Sequence, residues 1–596
     1  MDAASERTPP TTLATAPSSW YRRGGGRWDE GPGSLPPGRQ GVPSTAARPP
    51  HPARSRAHHR RERPGTGATM PAIYIVNPAN SAPSYHTAEF FGDEARGWVQ
   101  VADLTVVTLA ALVPADWHIR ITDESIDAVD LDAQVDVVAI TGKVSQRDRM
   151  IALADAFRRR GRTVMIGGSF ATLTPEEMRP HADILVTGEV EEIAAQIFSD
   201  IAAGRAGDRY DGGKADIRRS PVPRWDLYPV ERASSGALQT TRGCPFSCEF
   251  CDVIQYQGRK QRHKDIAQIV AELDALYAAG FRQIFLVDDN FTVHRAWARK
   301  VLDALTAWNA GHEADPVLFL TQASLDVARD PDLLERCHEA GIRILFVGIE
   351  TVNKASLRET GKKQNLLQPV ESAIAAILQK GIAVQAGIIV GFDHDSAGIF
   401  DQMRGFFDAA PIPELNIGVL TAPHATDLYR RLAREGRLLG ASWETAAASP
   451  FSTNIVPAGM SRRVLLDGVA DLCAAAYMPE AFGARMLRMI AQLRSTAYAP
   501  VRRHDAGSER TAMFFRIMKR VSALGPREAE MVREVVRAAG AKPSTLRLVV
   551  HFLSKYGQVR YFLDGAGVFR ADASARALVA PERQVADAAA LQRQFA

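Results

Sequence analysis

Eleven short β-branched runs recur along this chain, with stretches of helical period between many of them, and that alternation leaves few folds open. Five fall at residues 73–76, 118–122, 135–141, 163–166 and 184–186, and six more at 237–241, 283–287, 317–321, 344–348, 384–390 and 415–421. Parallel strands cannot be joined by a tight turn and need a crossover, usually a helix, so this alternation specifies parallel α/β sheets with helices on their faces. The stretch 265–279 shows the helical period plainly, with Ile266, Ile269, Val270, Leu273 and Leu276 on one side. The first five runs predict an open, Rossmann-like α/β domain over 70–205. The later six predict a partial (βα)6 barrel of TIM type over 236–424, because six units fall short of a closed eightfold barrel. Between them, 206–235 is polar, carries Gly212-Gly213 and the prolines Pro221 and Pro223, and reads as a linker. The region 425–596 contains Leu- and Ala-rich stretches of helical period, and is expected to be a mostly helical C-terminal region.

Charge narrows the function classes. Residues 1–69 hold 11 Arg, no Lys and five acidic residues, so the whole-chain charge of +4 leaves about −2 for the remaining 527 residues. A body this close to neutral has no basic footprint for nucleic acid, and none is expected as a partner. The same 69 residues contain 11 Pro and nine Gly without period, and are expected to be disordered. No apolar run reaches membrane-spanning length, so no transmembrane segment is predicted. Five cysteines in 596 residues exclude a disulfide scaffold. Three of them crowd into eight residues, which points to a metal site in a reducing compartment, the cytoplasm.

Those three are Cys244, Cys248 and Cys251, in the segment Thr240-Thr-Arg-Gly-Cys-Pro-Phe-Ser-Cys-Glu-Phe-Cys-Asp252, just after the first barrel strand. A C-x3-C-x2-C loop can bind three irons of a cubane cluster and leave the fourth iron open. Zinc is the alternative, although structural zinc sites are usually closed by four ligands. Cys337 and Cys473 fall in helical stretches and read as small buried hydrophobes. The basic run 258–264 reads either as a solvated face or as a cation, Arg259, Lys260 or Arg262, for a carboxylate or phosphate beside the cysteines.

With the aromatic Phe250 before its last cysteine, at the end of the first strand of a βα barrel, this motif resembles that of the radical S-adenosylmethionine (SAM) superfamily. The resemblance implies a 4Fe-4S cluster on Cys244, Cys248 and Cys251 whose open iron chelates SAM and cleaves it reductively to a 5′-deoxyadenosyl radical. It also implies SAM-contacting residues at successive strand ends. Beside Phe250 of the loop, these are Asp288, Asp289 and Asn290 on the second strand, Gln322 and Ser324 on the third, Glu350 for the ribose on the fourth, and Gly387, Ile389 and Gly391 for the adenine on the fifth. A one-electron donor such as flavodoxin or ferredoxin is implied as a partner.

The preceding α/β domain, with Ile166-Gly-Gly-Ser-Phe-Ala-Thr172 and Asp183-Ile-Leu-Val-Thr-Gly-Glu189, resembles the cobalamin-binding domain of the radical SAM proteins that use both cofactors. The resemblance implies cobalamin contacts from Ser145, Gln146, Gly167, Gly168, Ser169, Gly188 and Glu189. No D-x-H-x-x-G occurs in the chain, so the cobalt is expected to have no histidine ligand. The implied activity is cobalamin-dependent C-methylation of an unactivated carbon in a lipid, natural product or peptide. A cobalamin-assisted rearrangement or cyclisation is the alternative enzyme reading, and a non-catalytic iron-sulfur or zinc scaffold is the alternative of another class.

Met70 immediately precedes the first strand-like run, and translation is expected to start there. Mass spectrometry of the native protein should then find an N-terminal peptide beginning at or next to residue 70; a peptide from within 1–69 contradicts the expectation.

Overall fold

The computed structural model describes residues 70–81, 85, 90, 97–439, 450–495 and 509–569. The disorder expected for 1–69 lies outside the described residues.

The first half contains the strands β1 (Ala72–Asn77), β2 (Val99–Val101), β3 (His118–Asp123), β4 (Val137–Thr141), β5 (Thr163–Gly167), β6 (Ile184–Thr187) and β7 (Arg209–Asp211). All but β2 form a six-stranded sheet in the order β3-β1-β4-β5-β6-β7, with every pair parallel. Central strands such as β4 and β6 are buried at every position and apolar up to their closing threonine, because helices cover both faces. The edge strand β3, with sequence His-Ile-Arg-Ile-Thr-Asp, instead begins by alternating outward polar and inward apolar residues. At the other edge, β7 arises from the stretch expected to be linker. It is three residues long, as suits an edge strand that must not invite further pairing.

The second half adds β8 (Ala233–Leu238), β9 (Thr241–Arg242), β10 (Arg262–His263), β11 (Gln283–Leu286), β12 (Leu318–Ala323), β13 (Ile342–Glu350), β14 (Ala383–Val390) and β15 (Glu414–Val419). Six of these form the expected parallel run, and β2 joins as a seventh, giving the order β15-β14-β13-β12-β11-β8-β2. The two sheets are therefore laced together: a three-residue strand from the first α/β stretch lies beside β8 of the second. On β12, β14 and β15 the partly exposed residues, among them Leu320, Gln322, Gly387, Ile389 and Asn416, alternate with buried ones that pack against the helices.

A seven-stranded open sheet leaves β2 and β15 as edges, and the C-terminal helix Leu546–Gly565 spans them. Its Lys555 bonds to Gln100 of β2 and lies 3.9 Å from Glu414 of β15, while its Gln558 accepts from Gln100 at 2.7 Å. Tyr85 donates to the Ile417 carbonyl of β15 at 2.6 Å and meets Phe562 of the helix edge-on at 5.2 Å. Buried residues run around the whole helix, including Phe552, Tyr556 and Leu563 besides the polar Lys555 and Gln558. Among the described residues, no helix is long and apolar enough to cross a membrane.

Phe552 is fully buried in this helix. Phe552→Ala should lower the unfolding free energy by about 3–5 kcal/mol, the usual cost of emptying a core aromatic site. Denaturant unfolding measures it, and a loss under about 1 kcal/mol, the range of a surface substitution, would contradict the sealing role.

Candidate functional site

β9 and β10 form a short antiparallel ladder, pairing Arg242 with Arg262 and Thr241 with His263, and the cysteine loop is the hairpin between them. The neck is held from below by Asp288. Its Oδ1 accepts from the backbone N–H groups of Thr240 and Thr241 at 2.7 and 2.8 Å, and its Oδ2 accepts from the Thr240 hydroxyl at 2.5 Å. Those bonds draw the chain out of the sheet, which is why β8 ends at Leu238 and not at residue 241. Within the loop, Cys244 N–H donates to Gly258 at 3.2 Å and Cys251 N–H to Cys248 at 3.1 Å. Glu249 ties the loop outward: its N–H donates to Thr360 at 3.0 Å, its carbonyl accepts from Leu428 at 3.1 Å, and its carboxylate pairs with Arg431 at 2.7 Å.

Cys248 is buried, and Cys244 and Cys251 are half-buried. Burial raises the Cys244 thiol and pushes Cys251 up to about 12, with the Asp252 charge adding to the latter. Thiols in such surroundings ionise at neutral pH when a metal takes the place of the proton. Among the described residues, no three His, Cys, Asp or Glu side chains are drawn together at metal-ligating distance. The fit therefore rests on donor chemistry: three soft thiols on one pinned loop suit an iron-sulfur cluster. Cys337 and Cys473 are fully buried in the helices Pro331–Glu339 and Arg462–Ala476, so the zinc alternative finds no fourth thiol on the loop.

The residues singled out at the strand ends divide into braces and open groups. Asp288, expected to face SAM, has both oxygens engaged by the loop neck and is a brace. Asn290 and Ser324, also expected to face SAM, are turned to each other: Asn290 Nδ2 donates to Ser324 Oγ at 2.7 Å, and Ser324 N–H donates back to Asn290 at 3.3 Å. The open carboxylate is Asp289, whose Oδ2 is buried without a hydrogen-bond partner. Burial, and then the Asp288 charge, push its pKa up to about 7. Gln322 is half-buried on β12. Glu350 follows an irregularity in the β13–β14 register, at φ 65°, and pairs with Lys362 at 2.6 Å. Ile389 and Phe250 both pack against the cluster around Phe392 beside the loop, the two phenylalanine rings lying 6.0 Å apart. Gly387 is partly exposed on β14, and Gly391 donates to Asp395 at 3.0 Å at the end of that strand. Sequence reasoning missed Lys362 and Gln364, which meet the site from a turn with no periodic signal.

The carboxyl ends of the first sheet reach the same place. Glu189, expected to contact cobalamin, is instead held between two guanidinium groups, Arg242 at 2.9 Å and Arg262 at 2.6 Å, so it is not an open ligand group. Glu191 completes the set, pairing with Arg242 at 2.6 Å and accepting from Ser220 at 2.8 Å; these contacts hold its carboxyl below the usual range despite burial. Of the basic run, then, Arg262 neutralises a carboxylate, while Arg259 and Lys260 are solvent-exposed. Gln146 is likewise occupied, its amide donating to Asn77 at 2.8 Å and its Oε1 accepting from Lys143 at 2.9 Å, and Ser145 donates to Asn80 at 2.8 Å. Gly167, Gly168 and Ser169 form the turn from β5 into the helix Ser169–Leu173, and Gly188 follows β6. Gly168 sits at φ 97° with Gly142 so near that a Cβ would come within 2.7 Å of its backbone, so only glycine fits. The helix Ser169–Leu173 lies beside Val253–Tyr256, the short helix just after Cys251, and Lys214 donates to the Gln255 carbonyl at 3.2 Å.

Residues 238–406 match the family model described as the Radical SAM superfamily, and residues 426–560 match a domain of unknown function, DUF4070. Over 350 residues the chain is 36% identical to an uncharacterized methyltransferase of Synechocystis, covering 58% of this chain and 65% of that protein. Over 342 residues it is 31% identical to the hopanoid C-2 methylase of Rhodopseudomonas palustris, covering 56% and 64%. The chain thus spans just under two thirds of the length of these curated relatives. In fold it is similar to OxsB, a cobalamin-dependent SAM radical enzyme solved with aqua-cobalamin and SAM bound (TM-score 0.53, 13% identity, 83% of this chain and 80% of that one). It is also similar to TsrM, a radical SAM methyltransferase from Kitasatospora setae solved with cobalamin and a 4Fe-4S cluster (TM-score 0.51, 14% identity, 79% and 100%).

Removing one partner from a buried ion pair leaves the others uncompensated, so Arg242→Met should destabilise the protein by about 3–5 kcal/mol. Urea unfolding of the full chain measures this, and a change below about 1 kcal/mol would show that the carboxylates find other partners.

Proposed function

We propose that the radical SAM domain this chain carries at residues 238–406 works with the preceding six-stranded sheet as a cobalamin-dependent C-methyltransferase. The substrate would be a small molecule, lipid or peptide with an unactivated carbon. The observation that carries the reading is the meeting of the cysteine loop with the carboxyl ends of the first sheet, through Glu189, Arg242 and Arg262. Ligands of open α/β sheets and βα barrels bind at those ends, so two cofactor sites would share one space. The methyltransferase names of the relatives favour methylation over rearrangement.

When bound, the cluster and SAM supply a 5′-deoxyadenosyl radical, and cobalamin supplies the transferable methyl group. The chain's part is to hold and shield. Cys244, Cys248 and Cys251 would carry the cluster. Asp289, among the described residues the strand-end carboxylate with an unpartnered buried oxygen, would take the ammonium of SAM, a pairing that replaces the missing hydrogen bond. Glu350, braced by Lys362, would take the ribose hydroxyls, with Gln322 nearby on β12, and Gly387, Ile389 and Gly391 would line the adenine. In the first sheet, Gly167, Gly168, Ser169 and Gly188 would let cobalamin approach the backbone, with Glu189 and Gln146 bracing their turns. A flavodoxin- or ferredoxin-type donor would deliver the electron in the cytoplasm.

Anaerobically reconstituted protein with dithionite and SAM should form 5′-deoxyadenosine, and Cys248→Ala should abolish it. Persistence of cleavage in Cys248→Ala would overturn the cluster assignment. Methyl-labelled SAM, offered with extract of a deletion strain, should label a product; deoxyadenosine without labelled product would overturn the methyltransferase reading.

A further inference from the structure

The turn Thr360–Gln364 lies along the cysteine loop. The Glu249 N–H donates to the Thr360 carbonyl at 3.0 Å, and a Cβ on Gly361 would come within 2.9 Å of the Ser247 carbonyl. Lys362 stands 6.0 Å from the Phe250 ring centroid, anchored by its 2.6 Å pair with Glu350. Gln364, only 6% exposed, directs its amide Nε2 at Cys248 Sγ, 3.8 Å away. The Lys362 charge lies within electrostatic reach of the cysteine sulfurs.

We propose that this turn tunes the reduction potential of the cluster, with Gln364 as the positioning residue that donates to the Cys248 sulfur and Lys362 as the adjacent fixed cation. The inference rests on the cluster assignment above. Reduction adds one electron to the cluster and its sulfur ligands. A donor and a cation beside one of those sulfurs stabilise the more negative, reduced form more than the oxidised one, and a buried setting strengthens both effects. The turn therefore raises the potential at which a one-electron donor can load the cluster. Gln364 lies 116 residues from Cys248 and outside any cysteine or glycine motif.

The test is an EPR-monitored redox titration, with dithionite as reductant, of the anaerobically reconstituted full chain. Wild type is compared with Gln364→Met, which keeps the length and removes the donor, and Gln364→Glu, which puts an anion in its place. All three should bind equal iron and sulfide. At the potential that half-reduces the wild type, the reduced-to-oxidised ratio should fall about threefold in Gln364→Met and about tenfold in Gln364→Glu, the latter equivalent to about 59 mV for one electron. The double variant Lys362→Met with Glu350→Gln, which leaves Gln364 in place, should also lower the ratio. Unchanged ratios in fully loaded variants overturn the proposal, as does loss of iron from both Gln364 variants beside a loaded wild type, which would make the residue a structural support. Failure of the wild type itself to take up iron and sulfide overturns the cluster assignment and this inference with it.

Discussion

Arg242 stands two residues before Cys244, and its guanidinium reaches Glu189 and Glu191 from the end of the first sheet while Arg262 closes on Glu189 from the other side of the hairpin neck. Four charges held this far from water are costly unless each is matched, and here two cations meet two anions. The arrangement fixes where the cysteine loop stands relative to the first sheet, because any slip of either would leave a buried charge without its partner.

The remaining supports act on the same loop from other directions. Asp288 fastens the neck through three hydrogen bonds from Thr240 and Thr241. Arg431 grips Glu249 in the middle of the loop, and the turn at Thr360 meets the same residue's backbone. A loop that carries three thiols has little regular structure of its own, so its precision has to come from such neighbours. The C-terminal helix serves the sheet in a comparable way. Lys555 and Gln558 engage β2 while Tyr85 and the Lys555 charge engage β15, so both open edges are covered.

Much of the fold was legible because it is written locally. Runs such as Val137–Thr141 and Ala383–Val390 are mostly apolar and rich in Val and Ile, and their alternation with helical stretches specifies parallel pairing. β2 and β7, with sequences Val-Gln-Val and Arg-Tyr-Asp, were not legible, since three residues carry no period and become strands only by lying against β8 and β6. The site divides in the same way. The cysteines announce themselves by spacing, whereas Asp288, Asp289 and Asn290 are three polar neighbours whose different duties depend on which backbone or side chain each meets.

The sequence by itself determined that this chain builds parallel α/β sheets and sets three thiols on the loop after a strand, since strand propensity, helical period and cysteine spacing act over a few residues. Only the tertiary structure decided which carboxylates stay open. Glu189 looks like any acidic residue at a strand end until Arg262, 73 residues further on, is folded against it, and Glu350 looks free until Lys362 turns back to it. The same holds for Lys555, whose partner Gln100 is 455 residues away. A charge or donor has no preference for a partner at a given distance along the chain, so its pairing is settled by the packing that brings the two together.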